Sequence, residues 1–89
     1  ACVIRFELQP RERIHPEHGQ VELYLNWLPN DQPGSLLEME VHGAYTKLAP
    51  DAEASAKETW IVRRYDGLDR RDAQLAFLAT MLAEAGIEP

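Results

Sequence analysis

Three ionisable side chains alternate along one short segment, at Glu38, Glu40 and His42. If this segment is a β-strand, its two-residue period places all three on one face, with neighbouring Cα atoms about 6.5–7 Å apart. Two carboxylates and an imidazole can exchange protons in acid–base catalysis or hold a divalent metal. The solvated face of an antiparallel sheet carries the same residue types, and we expect that simpler role here.

A second candidate is the histidine pair His15 and His18, in the segment His-Pro-Glu-His. Histidines three residues apart could share a metal ion, but Pro16 prevents a regular helix in this segment. A zinc site also needs a third and usually a fourth ligand, and Cys2 is the single cysteine of the chain. We therefore predict a polar loop, no metal site and no cofactor, and we expect added zinc to leave the melting temperature almost unchanged.

Charged residues also gather just before the last predicted helix. They are the acidic residues Asp66, Asp69 and Asp72 and the basic residues Arg63, Arg64, Arg70 and Arg71. The aspartates lack the spacing and the closing glutamate of a calcium loop, so we interpret them as turn and capping residues. The arginines bracket a helix N-terminus, where anions can bind, but we expect the neighbouring aspartates to neutralise them.

Composition excludes several classes of protein. The 89 residues include 15 acidic and 9 basic ones, for a formal net charge of −6, and 45% are hydrophobic. This is ordinary globular composition, and its acidity argues against binding to nucleic acids or membrane surfaces. The longest uncharged apolar stretch, residues 73–83, is shorter than the roughly 20 residues of a membrane span. Without a visible signal-peptide pattern or a cysteine pair, we expect a cytoplasmic protein.

No candidate nucleophile lies in a known catalytic motif. Ser35 falls in a turn, Ser55 falls in an Ala-rich loop, and neither belongs to a G-x-S-x-G elbow. The sequence also lacks a phosphate-binding P-loop and a dinucleotide-binding fingerprint. We therefore expect a protein that is not an enzyme.

Hydrophobic periodicity predicts four strands followed by one helix. Alternating apolar and polar residues are typical of half-buried strands, here Val3–Gln9, Val21–Leu28, Leu36–Leu48 and Glu58–Tyr65. Gly43 is expected to mark a bulge or bend in the third strand. The helix is predicted to begin after Asp69 as its N-cap and to end near Ala85. Gly86 then fits the left-handed position that often follows a helix.

These elements predict a single α+β domain over residues 1–89. We expect a four-stranded antiparallel β-meander with the C-terminal α-helix packed on one face, in the order β-β-β-β-α. The helix should contribute the stripe Leu75, Leu78 and Leu82 to the core. The core side chains expected from the strands are Ile4, Phe6, Leu8, Leu23, Leu25, Leu37, Met39, Val41, Trp60 and Val62.

A second apolar stripe on the helix predicts self-association. Phe77 and Met81 lie about 100° away from the leucine stripe, so one sheet cannot cover both. We expect these two side chains to be exposed and to form the interface of a homodimer. The alternative is that the connection at residues 10–20 or the loop at 49–57 folds over them.

The outer sheet face indicates the function that we expect. It would carry Glu22, Tyr24, Glu38, Glu40 and His42, an acidic surface with one aromatic ring. Such a surface suits a protein partner with a basic surface, so we predict a small acidic, non-catalytic interaction domain: a binder, an adaptor or an inhibitor. The alternative is a small-molecule-binding domain or minor enzyme, using a pocket between sheet and helix or the Glu38–Glu40–His42 face.

Overall fold

The computed structural model describes residues 1–88 and contains four strands, two short 3₁₀ helices and one α-helix. The strands are β1 (Cys2–Phe6), β2 (Val21–Asn26), β3 (Leu36–Val41) and β4 (Glu58–Val62), and the helix is α1 (Arg71–Glu84). The predicted α+β class, with antiparallel strands and one C-terminal helix, is confirmed.

The strands form two separate pairs, β1 with β4 and β2 with β3. Beside the first pair, Ala1 and Arg63 exchange backbone hydrogen bonds in both directions, as antiparallel neighbours do. The single four-stranded meander is therefore not confirmed. Residues 42–57 contain no strand, so nothing continues the β3 ladder towards β4, and β4 pairs instead with the start of the chain.

The chain divides into two compact units. One contains Ala1–Arg5 and the chain from Thr59 onward, and the other contains Phe6–Glu58. Two such units can belong to one domain, so the single domain over residues 1–89 stays a prediction.

The β2–β3 hairpin is the regular element of the second unit. Its connection contains the 3₁₀ turn Gln32–Gly34, where the Asp31 side chain accepts a hydrogen bond from the Gly34 N–H at 3.2 Å. Ser35 Oγ accepts a further bond from the Leu28 N–H at 2.8 Å. These local bonds hold the ends of β2 and β3 together, which sets the register of the pair.

Strand β3 ends at Val41 and is therefore shorter than the predicted Leu36–Leu48. A Cβ atom at Gly43 would lie 2.7 Å from the Ala56 Cβ, a separation that real Cβ atoms do not show. Glycine therefore lets the segment that contains Ala56 approach closely here, and the expected bulge or bend at Gly43 stays a prediction.

The C-terminal end of α1 is closed as the sequence predicts. Gly86 has a φ of 68°, in the left-handed region that glycine adopts without strain. The Gly86 N–H donates to the Ala83 carbonyl at 3.0 Å and the Ile87 N–H donates to the Leu82 carbonyl at 2.8 Å. These two bonds make a Schellman motif, which satisfies carbonyls that the helix cannot pair.

The N-terminal end of α1 differs from the prediction by one residue. Arg70 is the N-cap and its side chain does not cap the helix, while the Asp69 carboxylate accepts a bond from Gln74 Nε2 at 3.1 Å. Arg70 pairs instead with Asp72, and Arg64 pairs with Asp66 at 2.7 Å. The expected neutralisation of these two arginines by nearby aspartates is confirmed.

The burial of α1 differs from the prediction at Met81 and Leu75, whereas Leu78 and Leu82 are half-buried, as Phe77 is. Met81, expected to be exposed, is 3% exposed and is the one fully buried hydrophobic residue within residues 1–88. Phe77 is half-buried, with its ring centroid 5.1 Å from that of Tyr65. Leu75, expected in the core, is 51% exposed. The prediction that Phe77 and Met81 form an exposed patch was wrong, because Met81 is buried and Phe77 lies against Tyr65. A homodimer through these residues stays a prediction, but it no longer has the support of an exposed apolar patch.

Most of the side chains predicted for the core remain in contact with solvent. Leu8 is 79% exposed, and the apolar residues of β2 and the start of β3 are exposed as well. The expected burial depended on a four-stranded sheet covered by the helix. The strands form two separate pairs, so the single four-stranded sheet on which that burial depended is not present among the described residues.

Candidate functional site

The register of β2 and β3 places the predicted polar residues on one face of the hairpin. Glu22 lies opposite Glu40, and Tyr24 lies opposite Glu38. Directly opposed residues of an antiparallel pair project to the same side, with Cβ atoms about 4.5–5.5 Å apart. The acidic face therefore exists as a geometric feature of the hairpin, and its role in partner binding stays a prediction.

His42 extends this face beyond the last residue of β3. Its backbone N–H donates to the Gln20 carbonyl at 2.9 Å, which continues the ladder by one step. His42 Nε2 then lies 3.8 Å from Glu22 Oε2, too long for a hydrogen bond. This nitrogen is shielded from solvent and has no hydrogen-bond partner, although the side chain as a whole is only half-buried.

Glu22 is the best-connected side chain of the cluster. Its Oε1 accepts a hydrogen bond from His18 Nδ1 at 2.9 Å and another from the Gly19 N–H at 3.2 Å. The bond from His18, assisted by the Gly19 N–H and by the positive charges that His18 and His42 carry when protonated, lowers the pKa of Glu22 below its usual 4.5 despite partial burial. Glu22 is therefore held in its charged form.

The three histidines of the chain lie together beside Glu22. The His18 ring is stacked near His42, with centroids 5.7 Å apart, and it lies 4.8 Å from the His15 ring. Tyr45 meets His15 edge-on at 4.7 Å. The loop at residues 10–20 thus brings His15 and His18 to the hairpin, which spacing in the sequence did not predict.

Gln20 is a positioning residue that sequence reasoning missed. Its side-chain oxygen accepts a bond from the Gln9 N–H at 3.1 Å, and its Nε2 donates to the Glu7 carbonyl at 2.8 Å and the His42 carbonyl at 3.3 Å. One amide therefore joins the segment after β1 to the end of β3. Its one signal in the sequence is its place just before a clear strand.

The structure regroups the two sequence candidates into one cluster. Ligand-type atoms of Glu22, Glu40 and His42 all lie within 4.8 Å of one another. His18, expected to pair with His15, instead bonds Glu22, and Glu38 lies one step further along β3, opposite Tyr24. The three positions predicted on one strand face do share that face, but Glu22 replaces Glu38 in the group whose atoms converge.

Shallow clefts lie around this cluster. One of about 270 Å³ is lined by His15, His18, His42 and Tyr45, among others, and one of about 910 Å³ lies on the other side of His15 and His18, towards Arg11. A third, of about 380 Å³, is lined by residues between Phe6 and Glu58 that include Ser55. All three belong to the Phe6–Glu58 unit, so the predicted pocket between sheet and helix is not among them.

Comparison with known proteins places the chain in a family. No curated protein and no solved structure matches the sequence. Within residues 1–88, no helix is long and apolar enough to cross a membrane. The family described as a domain of unknown function, DUF4380, matches residues 1–63, which include all four strands and the Glu22 cluster and end before α1. Because this match covers well over half of the sequence, the chain belongs to the DUF4380 family.

Proposed function

We propose that this chain is a non-catalytic protein-interaction domain that docks through its β2–β3 hairpin. The observation that carries the proposal is the apolar face of the hairpin, where Leu23, Leu25 and Leu37 are 69%, 62% and 57% exposed. Leu25 and Leu37 are directly opposed in the register, so they form one continuous surface. Soluble proteins rarely leave a contiguous apolar surface uncovered unless it binds something.

Two exposed aromatic residues lie near the turn end of this surface, although Tyr24 projects from the opposite face of the hairpin. Trp27, just after β2, and Tyr24, on the acidic face, are both more than half exposed. Tryptophan and tyrosine are enriched among the residues that dominate binding energy, because they bury a large area with few rotatable bonds. The turn end of the hairpin therefore carries aliphatic contact area on one face and two exposed aromatic side chains close to it.

The net charge of the chain indicates which kind of partner binds this surface. The chain carries a formal net charge of −6, and the exposed Glu38 lies next to Leu37 along β3, on the opposite face of the hairpin. A second copy would bring like charges together, which opposes association. A protein with an apolar surface bordered by Lys and Arg would bury apolar area against the hairpin and would also be attracted by its acidic residues. That attraction would speed the encounter between the two proteins.

A photo-crosslinking experiment tests this proposal directly. A photoreactive amino acid is placed at Leu25 in one preparation and at Leu8 in another, and each is irradiated in lysate of the source cells. Leu8 is the matched control, because it is an even more exposed leucine of the same unit that lies outside the hairpin. We expect a discrete protein crosslinked from position 25 and absent from position 8. The same products from both positions, or crosslinks only between copies of this chain, would contradict the proposal.

Affinity measurements on the captured protein complete the test. Leu25→Asp should weaken binding by at least about tenfold, because it places a charge in the apolar contact, whereas Leu8→Asp should leave it unchanged. Glu38→Lys should slow association, and the effect should fade as salt is added. Binding that is indifferent to both hairpin substitutions would place the interface elsewhere.

A small-molecule-binding or enzymatic role is the second candidate. The observation that favours it is the cleft lined by the three histidines, beside a Glu22 carboxyl of lowered pKa. Titratable groups with shifted pKa values often cluster at functional sites. This role needs a ligand seated against His18 and His42, so chemical-shift changes confined to those imidazoles in a screen of small polar compounds would support it.

A further inference from the structure

The strand register forces two carboxylates against each other on the polar face of the hairpin. Glu22 and Glu40 are directly opposed, and like charges in such a pair destabilise a sheet. Among the ion pairs of the described residues, Glu22 meets only the imidazoles of His18 and His42, and no Lys or Arg pairs with either glutamate. A cation held between the two carboxylates would remove this repulsion.

The two oxygens of Glu22 have different environments. Oε1 accepts the bonds from His18 and from the Gly19 N–H, which fixes the orientation of the carboxylate. Oε2 lies 3.8 Å from His42 Nε2. Metal-binding carboxylates are commonly oriented in this way by hydrogen bonds to the oxygen that does not bind the metal.

His42 supplies an independent observation. Its Nε2 atom is shielded from solvent, has no hydrogen-bond partner and is directed at Glu22. A shielded imidazole nitrogen without a partner is unfavourable unless something else occupies its lone pair or accepts its proton. A metal ion is one group that satisfies such a nitrogen.

We propose that Glu22 Oε2, a Glu40 carboxylate oxygen and His42 Nε2 form a binding site for a divalent transition-metal cation of the Zn²⁺ type. Three protein ligands with water in the remaining position is a coordination pattern that zinc adopts. Donor atoms around a tetrahedral zinc lie about 3.3 Å apart, given bonds of about 2.0–2.1 Å. One ligand-type atom from each of the three residues lies within 4.8 Å of the others, and the proposal requires the exposed Glu40 side chain to rotate towards the ion.

The ligand types select among cations. Mg²⁺ and Ca²⁺ prefer oxygen ligands and take six or more of them, whereas an imidazole nitrogen favours Zn²⁺, Ni²⁺ or Cu²⁺. The site differs from the sequence-level candidate His15–His18, because His18 lies behind Glu22 as an orienting group. His15 Nδ1 accepts a bond from the Glu17 N–H at 3.1 Å and lies outside the ligand set.

Isothermal titration of the full chain with zinc chloride tests the proposal, after treatment with a chelator and its removal. We expect one Zn²⁺ per chain, no competition from millimolar Mg²⁺, and a rise in melting temperature with zinc concentration. This outcome is the opposite of the one expected from the sequence, where only the His15–His18 spacing was available. Glu40→Gln should weaken binding by at least about tenfold, because it removes one charged ligand while keeping the shape of an exposed side chain. His15→Ala, the matched control, should bind zinc as the unaltered protein does.

A second readout keeps the test independent of whether a variant folds. Zinc added to the unaltered protein should shift the imidazole resonances of His42 and leave those of His15 nearly unmoved. The absence of stoichiometric binding at tens of micromolar zinc would overturn the proposal. So would binding that is lost in His15→Ala and kept in Glu40→Gln, since that result would assign the metal to the histidine loop.

Discussion

Helix α1 and the β2–β3 hairpin place their apolar side chains in opposite environments. The helix buries Met81, half-buries Phe77 against Tyr65, and closes its end with the turn at Gly86. The hairpin leaves its aliphatic face in solvent and instead partly buries Glu22 on the polar face. The helix therefore carries the buried apolar side chain, whereas the hairpin makes its side-chain contacts on the polar face and exposes its apolar face.

Removing the buried methionine is the strongest test of this difference. Met81→Ala should lower the free energy of unfolding by about 2–5 kcal/mol, because it leaves a cavity where the helix packs. The matched control is Leu75→Ala on the same helix, which should cost no more than about 0.5 kcal/mol because Leu75 is half exposed. Thermal unfolding followed by far-ultraviolet circular dichroism measures both. Equal losses for the two variants would mean that α1 has no preferred buried side.

In the Phe6–Glu58 unit, removing a polar side chain should destabilise the fold more than removing an apolar side chain of the hairpin, which is the reverse of the usual order. Gln20→Ala removes an amide that makes three hydrogen bonds, and we expect a loss of about 1–2 kcal/mol in the free energy of unfolding. Leu25→Ala should change it by less than about 0.5 kcal/mol, because that side chain is already exposed. Denaturant unfolding compares the two variants. A Leu25→Ala loss that exceeds the Gln20→Ala loss would show that the apolar face is covered in solution.

The end of the helix offers a smaller effect that depends on the backbone alone. Gly86→Ala should cost about 1 kcal/mol, because an alanine at a φ of 68° is strained. A Cβ atom there would meet no other atom within 4 Å, so no clash contributes. Gly86→Asn should recover part of the loss, since asparagine tolerates the left-handed region. Melting temperatures of the three proteins give the ranking, and an alanine variant as stable as the asparagine variant would contradict it.

Local signals in the sequence predicted local structure well. The Gly86 turn, the antiparallel β2–β3 pair and the shared face of Glu38, Glu40 and His42 all follow from residue types within a few positions of one another. The pairing of β4 with β1 did not follow, because it joins residues about sixty positions apart.

Which side chains become buried was predicted poorly, for a related reason. The leucine pattern favoured burial of Leu75, but Leu75 is 51% exposed and Met81 is the buried residue, while the ring of Phe77 lies beside Tyr65. The Glu22 cluster was missed for the same kind of reason. A proline-containing loop brings His18 to the hairpin, and no periodic pattern describes the path of such a loop.

Acid titration probes the polar contacts of the hairpin and should give the smallest of these effects. The pKa of Glu22 in the folded chain lies below 4.5, chiefly because His18 donates a hydrogen bond to the charged carboxylate. A carboxyl whose pKa is lowered on folding stabilises the fold above its unfolded pKa. That contribution disappears as the pH falls through the pKa of the folded state.

The unaltered protein, kept metal-free with a chelator, should therefore lose stability below about pH 4.5 more steeply than Glu22→Gln, which has no proton to take up at this position. Glu38→Gln, an exposed glutamate on the same face, serves as the control and should follow the unaltered protein. Denaturant midpoints measured between neutral pH and pH 3 give the comparison. If the unaltered protein and Glu22→Gln lose stability equally below pH 4.5, the contact between His18 and Glu22 does not stabilise the charged carboxylate in solution.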